Sequence, residues 1–322
     1  MKRILHGILL LGIVLSASAI GFSCSETDDP AETETKTPED DDRSPDNNGT
    51  GDDPIPAYDS EELYCLNGGK RIYGLMFRPR TSDTRMPAVI LSHSYSLTHT
   101  AMESYARAIA EQGCAAYCFD FCGGSGSSLS DGDTSQMTVF TEVGDLEAVL
   151  ATIRALEYVD PDRIFLLGSS QGGLVSALAA EEHAGEASGM ILFYPAFNIA
   201  DMVNRFAGSL GSFGSTGSMG MSEAYVESLK DYDVFEHIGT FPKPILILHG
   251  SQDFIVPVSY SERAAALYPQ AELQIIEGAT HGFNEANLGG FGSYFGSSDY
   301  DETVLAYVSG YLSTYAFGKR GM

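Results

Sequence analysis

Six short runs of this chain are apolar almost without interruption: Ala88–Ser92, Ala115–Phe121, Ile164–Leu167, Met190–Tyr194, Ile245–Leu248 and Leu273–Ile276. A strand with one wet face alternates apolar and polar residues, so unbroken runs of this length predict strands covered on both faces. Helical spacing fills most of the gaps between them, at Ala101–Glu111, Val139–Leu156, Gly172–Glu182, Ser259–Ala266 and Glu302–Tyr315. In the longest of these, Val143, Leu146, Val149, Leu150 and Ile153 share one face. Strands alternating with helices predict the α/β class, a mostly parallel central sheet with helices on both sides. Ahead of this pattern, Glu62–Cys65 and Lys70–Arg78 form a predicted hairpin turning at Asn67-Gly68-Gly69.

One segment breaks the rhythm. Between the fourth and fifth strands, residues 197–241 contain a glycine- and serine-rich run from Ala207 to Gly220, then a predicted helix at Glu223–Leu229. An insertion of this length in a compact domain suits a lid over a pocket, and a lid is the expectation here.

The N-terminus has a different composition. Met1, Lys2 and Arg3 precede an apolar run from Ile4 to Ile20, the pattern of a secretory signal. Ala17-Ser18-Ala19 would suit cleavage after small residues. Gly21-Phe22-Ser23-Cys24 is similar to a relaxed lipobox, with Cys24 as the lipidated first residue, and this reading is preferred. Residues 24–59 are rich in Asp, Glu, Thr and Pro and poor in aliphatic side chains, so they cannot offset their ordering entropy by burial. They are expected to form a disordered acidic tether, resembling the leaders of bacterial surface lipoproteins. The expected organisation is therefore a signal over 1–23, a tether over 24–59 and one catalytic domain over 60–322. The expected location is the outer membrane or cell surface, with a periplasmic or secreted protein as the alternative. The only membrane contact expected is the lipid anchor.

The formal charge is −26, and removal of residues 1–23 takes Lys2 and Arg3 but no acid, giving −28. Nucleic-acid binding needs a basic footprint and is excluded as an expectation. Of the five cysteines, Cys114, Cys118 and Cys122 lie four apart in one predicted strand. That spacing separates neighbours by about 13 Å, too far to share a metal ion or a disulfide. Buried free thiols are expected, with a bridge to Cys65 left open.

Chemistry concentrates at Gly168-Ser169-Ser170-Gln171-Gly172, a Gly-x-Ser-x-Gly segment after a strand and before a helix. A tight turn there lifts the Ser170 hydroxyl above the sheet edge and leaves the Gln171 amide at a helix N-terminus, where it can stabilise an oxyanion. A serine needs a base. His6 lies in the signal, His99, His183 and His237 read as surface residues, and His249 ends a strand and reads as structural. His281, in the loop after the last strand, is the expected base. Asp253, just beyond the fifth run, is the expected carboxylate that orients it; Glu277 lies too close in sequence to His281. The loop after Ala88–Ser92 reads His93-Ser94-Tyr95-Ser96, and the Tyr95 amide is the second expected oxyanion donor. Such chemistry requires no metal or organic cofactor.

With these residues in place, the chain resembles the α/β-hydrolase family and, within it, bacterial cinnamoyl or feruloyl esterases and their peptidase-S9-like relatives. The resemblance spans Ile72 to Tyr315 outside the insertion. It rests on Gly168–Gly173, on His249-Gly250 with Asp253, Val256 and Pro257, and on Thr280-His281-Gly282-Phe283. Phe119-Asp120-Phe121, Gly123, Asp131-Gly132 and the Met137–Asp145 stretch with Glu142 add to it. The family usually has His-Gly where this chain has His93-Ser94, a glycine where it has Leu97, and a histidine where it has Ser169. Cys122 and Ser125 alter the usual Gly-x-Gly after the second of the six runs. The resemblance implies an α/β-hydrolase fold and hydrolysis of a small-molecule or oligosaccharide ester, foremost a hydroxycinnamoyl ester of plant polysaccharide. General carboxyl- or acetylesterase action is the alternative, ahead of an oligopeptidase or a non-catalytic glycan-binding hydrolase fold.

Overall fold

The computed structural model describes residues 57–80, 85–210, 221–284 and 299–318. The expected signal, Cys24 and the expected tether up to residue 56 lie outside the described residues.

The described chain opens with the hairpin, β1 (Tyr58–Asn67) and β2 (Lys70–Pro79). Tyr58 and Asp59, assigned from sequence to the tether, already pair with Pro79 and Arg78, so the folded part begins two residues early. The order then runs β3 (Met86–Ser92), α1 (Glu103–Glu111), β4 (Ala115–Phe119), α2 (Val139–Arg154), β5 (Val159–Ser169), α3 (Gln171–Glu182) and β6 (Gly189–Phe193). After these come α4 (Ile199–Leu210), α5 (Glu223–Ser228), β7 (Ile245–Gly250), α6 (Val258–Leu267), β8 (Ala271–Ile276) and α7 (Asp301–Tyr315).

Among the described residues the strands form one eight-stranded sheet in the order β1-β2-β4-β3-β5-β6-β7-β8. β1 and β2 run antiparallel to their neighbours and the rest are parallel. Alternate residues of each central strand feed two separate cores. Ala88, Ile90, Ile164, Leu166, Ile245 and Ile247 pack toward α2, α3 and α6. Val89, Leu91, Phe165, Leu167, Leu246 and Leu248 pack toward α1 and α7. Period-two geometry thus sends an unbroken apolar run into two layers. Helix α3 is buried from Gln171 to Ala180, as expected of a helix that is apolar nearly all round.

The strand expected to hold three cysteines is shorter than its apolar run. Cys114 precedes β4 and Cys122 follows it, since β4 ends at Phe119. Cys65, Cys114, Cys118 and Cys122 are all buried free thiols.

The insertion is more ordered than its composition predicts. α4 extends to Leu210, well into the glycine- and serine-rich run, while 211–220 lie outside the described residues. Ile199, Ala200 and Val203 bury an apolar face of α4 in the core, and that face outweighs the low helix propensity of the following glycine.

The chain crosses from β3 outward to β4 and then back past β3 to β5. Loops leaving the C-terminal ends of β3 and β5 therefore diverge, and a crevice opens between them, where this class of sheet carries its ligands. Ser92 pairs with Gly168 across that gap, which places the loop from His93 beside Ser170.

Candidate active site

Ser170 stands between β5 and α3 with φ 51° and ψ −114°, a backbone conformation rarely adopted by L-residues. Four hydrogen bonds hold it there. Its amide donates to the Phe193 carbonyl (2.9 Å), and its carbonyl accepts from Gly173 (3.0 Å), Leu174 (3.2 Å) and Ala196 (2.9 Å). The flanking glycines are a steric requirement. A Cβ on Gly168 would meet the Gly172 carbonyl oxygen at 2.1 Å, and a Cβ on Gly172 would meet the Ser92 carbonyl oxygen at 2.3 Å.

The structure brings together the three side chains expected to act in sequence. His281 Nε2 lies 3.1 Å from Ser170 Oγ, and His281 Nδ1 lies 2.7 Å from Asp253 Oδ2. A tight turn presents His281: Phe283 donates to the Thr280 carbonyl (3.1 Å), and the Thr280 amide donates to the Asn284 carbonyl (2.9 Å). The Tyr194 ring packs against the imidazole, tilted by 57° at a centroid distance of 4.5 Å. Asp253 Oδ1 accepts the amides of Ile255 and Val256, both at 2.9 Å. Burial alone would raise the Asp253 carboxyl. The hydrogen bonds from His249 and His281, the charge of His281 and the Val256 amide outweigh burial and hold it well below the usual carboxylate range.

His249, read from sequence as structural, is fully buried and does more than end a strand. Its Nε2 lies 2.8 Å from the Val256 carbonyl and 3.2 Å from Asp253 Oδ2, while Nδ1 meets Ser261 Oγ at 2.7 Å. It therefore fixes the turn that aims Asp253. His93 is a packing residue: Nε2 accepts from the Phe121 amide (3.3 Å) and Nδ1 donates to the Ser94 carbonyl (2.8 Å). Burial pushes it below the usual histidine range, consistent with a neutral ring.

His99 was expected on the surface and is not there. It is 7% exposed, and both its amide (2.6 Å) and its ring Nδ1 (2.7 Å) meet Asp120 Oδ1. Helical spacing hid this, since the residue precedes α1 in a short 3-10 turn that folds inward.

The loop expected to supply the second oxyanion donor closes as a turn, with the Leu97 amide donating to the Ser94 carbonyl (3.1 Å). Ser96 takes the left-handed conformation (φ 59°) that a glycine would favour. Ser94 Oγ, where the family has glycine, reaches Ser169 Oγ at 2.9 Å, and this contact joins the β3 loop to the Ser170 turn. Tyr95 therefore sits beside that turn, and Gln171 opens α3. A cavity of about 580 Å³ opens on the same side, lined in part by Ser94, Ser169, Tyr194, Gly282 and the exposed hydroxyls of Ser96 and Thr100.

Sequence reasoning missed the side-chain partners of Gln171. Gln171 Nε2 donates to Glu142 Oε2 (2.7 Å), and Tyr225 of α5 donates its hydroxyl to Gln171 Oε1 (2.5 Å). A signal was available: Glu142 lies on the buried stripe of α2 with Val139, Val143 and Leu146, where a carboxylate is out of place.

With this geometry established, comparison with known proteins finds three kinds of similarity. A family model described as serine aminopeptidase, S33, matches residues 84–231, which include Tyr95, Ser170 and Gln171. The chain is 27% identical over 150 residues to the α/β-hydrolase domain-containing protein WAV2 of Arabidopsis thaliana, covering 45% of this chain and 48% of that protein. The chain thus spans about half the length of this relative. Among solved structures, Est1E from Butyrivibrio proteoclasticus with bound ferulic acid superposes with a TM-score of 0.65 at 22% identity, covering 79% of this chain and 98% of that one. A Pyrococcus furiosus esterase superposes with a TM-score of 0.60 at 18% identity, covering 80% and 92%.

Proposed function

From a chain that carries the α/β-hydrolase fold, we propose a serine esterase in which Ser170 is the nucleophile, His281 the general base and Asp253 its orienting carboxylate. The observation that supports this reading is the unbroken line of contacts from Asp253 through His281 to Ser170. With Asp253 ionised, His281 Nδ1 is the donor toward it and Nε2 is left to accept the Ser170 proton. Ser170 Oγ then attacks an ester carbonyl, and the carbonyl oxygen becomes an oxyanion held by the Tyr95 and Gln171 amides. Collapse of this intermediate breaks the ester C–O bond, and the imidazolium returns its proton to the departing alcohol. Water repeats the sequence on the acyl-enzyme.

The favoured substrate class is a hydroxycinnamoyl ester of plant polysaccharide. The ferulic acid bound in Est1E supports the acyl part of this reading. Simple carboxyl or acetyl esters are the second reading, supported by the Pyrococcus esterase. Replacing Ser170 by Ala is expected to abolish turnover of methyl ferulate, with retained turnover sinking the assignment. A panel of methyl ferulate, short acyl esters and acetylated xylan decides between the two classes by relative kcat/KM.

The composition of residues 1–59 supports an exported lipoprotein, with residues 1–23 removed, Cys24 acylated and the domain tethered beyond it.

A further inference from the structure

Glu142 is a buried carboxyl that the proposed reaction does not use. A capping box, in which Thr138 and Thr141 exchange side-chain and backbone hydrogen bonds (2.9 and 3.1 Å), starts α2 one turn ahead of it. That start turns Glu142 inward, and it is 1% exposed. Its Oε2 accepts from Gln171 Nε2, while Oε1 has no hydrogen-bond partner among the described residues. From the other side, Tyr225 donates to Gln171 Oε1. The Gln171 amide side chain is therefore clamped at both ends, by α2 and by the insertion. The Tyr225 ring also meets the Tyr95 ring edge-on at 5.6 Å. Both residues read as oxyanion donors are thus in contact with one side chain of the insertion.

We propose that Glu142 is a positioning residue that acts through Gln171, and that with Tyr225 it ties helix α5 of the insertion to the backbone amides that hold the oxyanion. This inference rests on the reading of Ser170, Tyr95 and Gln171 given above. The clamp fixes Gln171 at the first residue of α3, where a small rotation of the peptide would misdirect its amide.

The chemistry of the clamp sets a condition on its charge. The titratable groups facing Glu142 are Asp145 on its own helix, Tyr95 on the β3 loop and Tyr225 on α5. None of these is a cation. Burial, reinforced by Asp145 and only partly offset by Gln171, pushes the Glu142 carboxyl up to about 8. The acid is therefore neutral at pH 7. Ionisation at higher pH puts a negative charge behind the amides that must receive a second negative charge, and catalysis should fall. Buried thiols and phenols titrate above this window: burial pushes Cys114 and Cys122 up to about 12 and raises Tyr95 and Tyr225 above the usual tyrosine range.

The test uses the full chain, with kcat and KM for methyl ferulate or a short acyl ester from about pH 6 to about pH 10, and fluorophosphonate labelling of Ser170 alongside. For the parent chain, kcat/KM should fall by about tenfold above pH 8, the size expected of a like charge acting through protein. E142Q keeps the shape and the hydrogen bond but cannot ionise. It should retain most of the activity near pH 7 and lose the alkaline decline. E142L should lose about tenfold in kcat near pH 7, and Y225F several-fold in kcat with KM within about twofold. Thermal melts of each variant separate a lost clamp from a lost fold. An alkaline decline unchanged in E142Q, with Ser170 still labelled, would overturn this inference alone. No labelling of Ser170 in the parent chain would overturn the reading of the serine and this inference with it.

Discussion

Asp253 carries two histidines, and the pair divides the work of one carboxylate. His281 takes the outward approach, toward Ser170, and His249 the inward one, toward Val256 and Ser261. Replacing Asp253 by Asn leaves an amide that can donate to His281 and so favours the wrong tautomer. A fall in kcat by roughly three to four orders of magnitude is expected for D253N, with KM for methyl ferulate little changed. A second effect at this scale concerns stability. Glu142 ionises near its ordinary value when unfolded and at about 8 when folded. Its contribution is fully present below about pH 4.5 and is lost as pH rises through about 8, because the folded state alone keeps the proton across that window. The loss amounts to a few kcal/mol between about pH 5 and about pH 8. Urea melts at both pH values should show this slope reduced in E142Q.

At the scale of elements, the turn from β5 into α3 is the most tightly constrained part of the fold. Adding a methyl group at Gly172 drives it into the Ser92 and His93 carbonyls, at 2.3 and 2.5 Å, so α3 would have to move off β3. Gly172→Ala is expected to cost about 3 kcal/mol or more in a denaturant melt and to remove activity. This turn was legible in the sequence because its requirement is local: a strand, a tight bend with glycines on each side of one serine, and a helix. The central strands were legible because two covered faces leave an unbroken apolar run. The polar opening of β5, Val159-Asp160-Pro161-Asp162, gave no such signal and is included only because Val159 pairs with Met86. Helix α4 was hidden by its glycine and serine, since tertiary burial of Ile199 and Val203 rather than propensity holds it. The three side chains of the candidate site were readable from their order in the chain, behind β5, β7 and β8. The Glu142–Gln171–Tyr225 contacts were not readable, because they join three helices whose mutual placement only the folded chain supplies.

Across the whole molecule, the sheet has two ends and they are unlike. Among the described residues β1 carries three exposed acids, Asp59, Glu61 and Glu62, beside the exposed Tyr64 and Leu66, while β8 sets only Glu272 beside the exposed Ile275. At the same scale, the high negative charge keeps copies apart, and the lipid proposed at Cys24 would hold them at a surface. Replacing Cys24 by Ala should move the protein from the membrane fraction to the soluble one, and retention in the membrane would refute the anchor. An open strand edge is a template for another chain, and acidic side chains blunt it. When heat or salt weakens the repulsion between molecules at neutral pH, aggregation should therefore nucleate more readily at β8, guarded by one acid, than at β1, guarded by three. Placing a lysine at Ile275 should delay the onset of light scattering on heating, and a charge-neutral change at Glu61 should matter less. A protein so strongly acidic still sets a single acid, Glu272, along one outer strand of its sheet.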